Sequence, residues 1–144
     1  PVTGVVVMYN SGISAYQQVN VQSANYADPH HLIAMLFDGA LSRIVEAKRA
    51  MAQRELAAKG TAISKAMSII GGLRGSLDAE RGGELAANLD ALYDYMQRQL
   101  AVANARNSAE ILDEVSGLIK ELKAGWDAIP AEARQAPLST GTAG

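Results

Sequence analysis

The sequence predicts an all-α protein: an antiparallel up-down four-helix bundle preceded by a short N-terminal capping segment or helix. Alanine and leucine are plentiful while aromatic residues make up only 5% of the chain, which favours helix over strand. Apolar residues recur at threes and fours through four successive segments, the period of a helix with one buried face. The breaks between those segments are short, and short connections make consecutive helices antiparallel neighbours. At 144 residues the chain has room for one domain with a real core. We divide it into a tail and capping segment over 1–27, a bundle over 28–129, and a small, polar tail over 130–144 that is expected to be disordered.

The first element is the stretch ISAYQQVNVQ, from Ile13 to Gln22. Ile13, Tyr16 and Val19 fall on one side of a helix, while Val19 and Val21 alternate as in a strand. The first bundle helix opens with Asp28 as N-cap and Pro29 at its first position. Its stripe is Leu32, Met35, Leu36, Leu41, Ile44, Ala47 and Met51, and Gly60 is the expected stop after Lys59. Such a helix is roughly 45 Å long at about 1.5 Å per residue. Thr61 is the expected cap of the second, whose stripe is Ile63, Met67, Ile70, Leu73 and Leu77. LDAERGG then breaks the pattern, and the third helix runs from about Glu84 to Ala105 through Leu85, Leu89, Leu92, Met96 and Leu100. NSAE predicts a capping box of Asn107 with Glu110. The fourth helix carries Ile111, Leu112, Val115, Leu118, Ile119, Leu122 and Trp126, and Pro130 ends it by Ile129.

Composition narrows the function classes. The formal net charge is −2, from 13 basic and 15 acidic residues, so electrostatics gives no argument for nucleic acid or an anionic membrane. There is no cysteine, which removes disulfides and thiolate chemistry. No apolar run approaches the roughly 20 residues of a membrane-spanning helix. PVTGVVVM is too short for a signal peptide and lacks its basic start, so a cytoplasmic location is expected.

Catalytic and metal chemistry find little support. His30 and His31 are adjacent, so on a helix they point about 100° apart and do not share a ligand face. Both read as partly exposed first-turn residues. Glu110 and Glu114 share a face, but no Glu-x-x-His motif accompanies them, and a solvated acidic face is expected. GGLRGS, from Gly71 to Ser76, lacks the Gly-Lys-Ser/Thr of a phosphate loop. Inside a helical stripe it predicts a local kink, or a shallow spot where another helix lies close. A phosphotransfer bundle using His30 or His31 needs a mid-helix exposed histidine, and these sit in the first turn. No cofactor is expected, and no enzymatic activity.

The helix faces are more informative. Leu32, Ile33, Met35, Leu36 and Phe37 nearly encircle the first turns of helix one, and Tyr93 and Tyr95 flank Met96. A lone bundle hides one broad stripe per helix, so surplus apolar surface implies a cover, a dimer partner or a ligand.

Several stretches taken together resemble the flagellar secretion chaperone FliS family: AYQQV, LIAMLFDGAL, GGELAANLDALYDYM and AVANARNSAEILDEVSGLIKELKAGW. The match runs in order from about Tyr9 to Ile129. Phe37 stands where the family often has tyrosine, and the histidine pair where charged residues are common. The resemblance implies a chaperone that binds the C-terminal segment of flagellin, prevents its premature polymerisation and presents it to the export gate of the flagellar type III secretion system. With the surplus apolar residues it marks Ile33, Phe37, Ile69, Leu73, Tyr93 and Met96 as candidates for the flagellin groove. It also marks Tyr16 as an export-gate candidate, with Ile13, Tyr16 and Val19 forming a detachable cover for the groove. Neither nucleic acid binding nor direct membrane insertion is implied. A regulatory or dimerising helical bundle is the alternative.

Overall fold

The computed structural model describes residues 28–133. Within them lie four long helices, α1 (Pro29–Ala52), α2 (Leu56–Gly75), α3 (Ala79–Arg106) and α4 (Ala109–Asp127). They close a ring in which α1 packs on α2 and α4, and α3 packs on α2 and α4. Cross-helix pairs fix the directions. His30 at the start of α1 meets Trp126 at the end of α4, and Lys48 near the end of α1 meets Asp113 near the start of α4. Lys59 and Arg74, near opposite ends of α2, meet Asn104 near the end of α3 and Asp90 in its first half. The result is the antiparallel helical bundle expected from the sequence. Ile13, Tyr16 and Val19 lie outside the described residues, as do residues 134–144. The part of the C-terminal tail that is described, 130–133, forms a helical turn closed by Ala133 N–H on the Pro130 carbonyl at 3.0 Å.

Caps decide where the helices begin and end. The Asp28 side chain accepts from His31 N–H and Pro29 opens α1, as read from the sequence. The end of α1 differs from expectation. The helix stops at Ala52, so it has 24 residues and Gly60 and Thr61 lie inside α2. Arg54 takes the left-handed conformation (φ 59°) usually given to glycine. Glu55 N–H then reaches back to the Ala50 carbonyl and Arg54 N–H to Met51, a Schellman closure without glycine. The capping box is also corrected. Asn107 instead ends α3 in the left-handed region (φ 52°), and the Ser108 side chain caps α4 by accepting from Ile111 N–H at 3.2 Å. Ile111 thus stands where a capping box needs Glu or Gln.

Two glycines have opposite meanings. Gly83 sits inside α3 with φ 54° and ψ −129°, which separates a first turn capped by Asp78 from the long helix that starts at Glu84. Gly60 lies within regular α2, and a Cβ there meets nothing within 4 Å. Gly60→Ala is therefore expected to stabilise the fold by about 0.5–1 kcal/mol, and Gly83→Ala to destabilise it by about 1–3 kcal/mol. Urea unfolding of both variants checks the opposite signs; a stabilised Gly83→Ala contradicts the assigned backbone.

The core runs the length of the ring, from Ile33 and Ile129 at one end to Ala103 and Leu112 at the other. GGLRGS produces a close approach and not a kink. α2 is continuous across it, and a Cβ on Gly71 would stand 3.0 Å from Gln97 Nε2, which donates to the Met67 carbonyl.

Candidate functional site

The six groove candidates do not form one open surface. Ile33, Phe37, Leu73, Tyr93 and Met96 are buried members of the central core. Ile69 is half-buried, with its Cδ1 3.4 Å from where a Cβ on Gly39 would lie. The surplus apolar face of α1 is thus largely consumed by packing on two neighbours, leaving Met35 and Val45 exposed.

The histidine pair also departs from expectation. His31 is exposed, but His30 is only 5% exposed. Its ring stacks on the Trp126 indole with centroids 4.8 Å apart and planes 9° from parallel. His30 Nε2–H donates to the Trp126 carbonyl at 2.7 Å, while Trp126 Nε1–H donates to the His30 carbonyl at 2.8 Å. This reciprocal latch makes His30 a structural residue. The available signal was Trp126 itself, since a buried indole N–H requires an acceptor.

Polar side chains hold the rest of the surface together. Arg74 grips Asp90 at 2.7 Å and Asp94 at 3.0 Å, tying α2 to α3. That hydrogen bond holds the Asp90 carboxyl below its ordinary value and raises Arg74. Lys123 pairs with Asp127 at 2.9 Å and with Asp38 of α1 at 3.5 Å, and both raise its value. Lys59 is buried and donates to the Asn104 carbonyl at 2.9 Å and to Asn107 Oδ1, fastening the end of α3. Among the described residues no group of three His, Cys, Asp or Glu side chains is arranged to hold a metal. No described helix is long and apolar enough to cross a membrane.

The seam between α3 and α4 is the most sparsely packed of the four helix contacts. Tyr95 donates to Glu114 at 2.6 Å and Gln99 Nε2 donates to the same carboxylate at 3.3 Å, which identifies the flanks that face each other. The bond to Glu114 raises the Tyr95 phenol above its ordinary value, with desolvation adding to it. Helical spacing places Leu118, Leu122 and Gly125 on the Glu114 flank, and Leu92, Asn88 and Leu85 on the Tyr95 flank. Leu92, Leu118 and Leu122 are half-buried against the core, and Leu85 is 44% exposed. Gly125 is exposed, and a Cβ there would meet nothing within 4 Å. A depression of about 440 Å³ lies on the outer face of α2 beside Leu56, Gly60, Ser64 and Ser68. It is lined by that one helix, with Lys65 its only charged residue.

Helices and seam together define a class: a small antiparallel helical bundle with half-buried leucines along the line where α3 meets α4. The chain belongs to the FliS family. The family model described as flagellar protein FliS matches residues 12–133. The chain is 51% identical over 125 residues to the flagellar secretion chaperone FliS of Salmonella typhimurium, covering 85% of this chain and 93% of that protein. It is 51% identical over 115 residues to the flagellar secretion chaperone FliSB of Pseudomonas aeruginosa, covering 79% and 91%. Its identity to the Bacillus subtilis flagellar secretion chaperone FliS is 37% over 131 residues, covering 90% and 95%.

Proposed function

We propose that this protein is a cytoplasmic, non-enzymatic export chaperone that binds the C-terminal segment of flagellin. It prevents premature polymerisation and presents the segment to the flagellar type III secretion apparatus. The observation that carries this reading is the family membership, with relatives named flagellar secretion chaperones that match along most of both chains. The α3–α4 seam supports it physically: a half-buried apolar strip between two helices is the surface that helix-in-groove recognition needs. A segment that orders on binding gives up about 2–5 kcal/mol, so apolar contact must be extensive. Ile69 and the seam leucines are the proposed contacts, and the buried candidates act by holding the helices that carry them. Ile13, Tyr16 and Val19 are proposed to cover the apolar surface when it is empty, with Tyr16 also serving the export gate.

Titration of the full chain with a flagellin C-terminal peptide tests this reading. Saturable binding, a gain of helical circular dichroism and slower flagellin polymerisation are expected. Deletion of residues 1–22 is expected to preserve or tighten binding and to increase self-association. A peptide that fails to bind the folded chain leaves the regulatory or dimerising bundle as the better account.

A further inference from the structure

We draw no further inference here: the strongest candidate, the depression on the outer face of α2 beside Leu56, Gly60, Ser64 and Ser68, is lined by side chains of that one helix, and nothing in the structure shows what covers it.

Discussion

Trp126→Ala is expected to lower the unfolding free energy by about 3–5 kcal/mol. The indole is 5% exposed, stacks on His30 and donates to the His30 carbonyl. Removing it opens a cavity and strips one buried carbonyl of its donor, two penalties that add. Against a total stability of about 5–15 kcal/mol this is a large fraction. Urea unfolding followed by circular dichroism measures it. Trp126→Phe keeps a six-membered ring and loses the pyrrole with its N–H, so it removes the donor with a smaller cavity and is expected to lose about 1–3 kcal/mol. A loss below about 1 kcal/mol for the alanine variant contradicts the described packing.

Met96→Asp is expected to abolish folding at neutral pH. Met96 has no exposed surface and sits among core residues of all four helices. An isolated carboxylate there loses its hydration without gaining a partner, which costs several kcal/mol or forces it to stay protonated. Ile33, Phe37, Leu73 and Tyr93 are expected to behave alike, since each is buried in the same cluster. Leu92→Ser and Leu118→Ser strike half-buried flanks and are expected to keep the helical signal while weakening the ligand. Helicity and peptide affinity measured on the same samples check this division. A well-folded Met96→Asp variant with lost binding restores Met96 as a groove residue.

That division was hard to see in the sequence because periodicity gives the direction of a helix face only to within one stripe. Leu92 and Met96 are four residues apart and about 40° apart in phase, yet Met96 is buried and Leu92 is half-buried. Which edge of the stripe stays open depends on which helix lies beside it, and that is a property of the ring. The number and type of helices were legible, as were the Asp28 cap and the Trp126 stripe, because local chemistry determines them. The end of α1 was not, since Arg54 holds a left-handed position where a reader looks for glycine, and Gly60 marks no boundary. The Asn107–Ser108 connection was misread by one residue, because both types cap helices and only Asn107 tolerates the left-handed turn that ends α3. The family resemblance was legible because it depends on side-chain order along the chain, which no packing detail disturbs.

The latch between His30 and Trp126 has a consequence in time. It joins residues 96 apart in the chain, roughly three times the separation between Gly39 and Ile69, whose contact belongs to the α1–α2 hairpin. Closing the longer loop costs about 1 kcal/mol more in chain entropy, so the hairpin forms first and the latch late. On the ribosome the order is stricter. α1 and α2, the most extensively packed pair, are complete once Gly75 has been made, whereas the latch waits for the last turn of α4. Until α3 and α4 follow, the stripe that α1 and α2 turn toward the core has no cover. Ring closure is completed only when almost the whole protein has emerged.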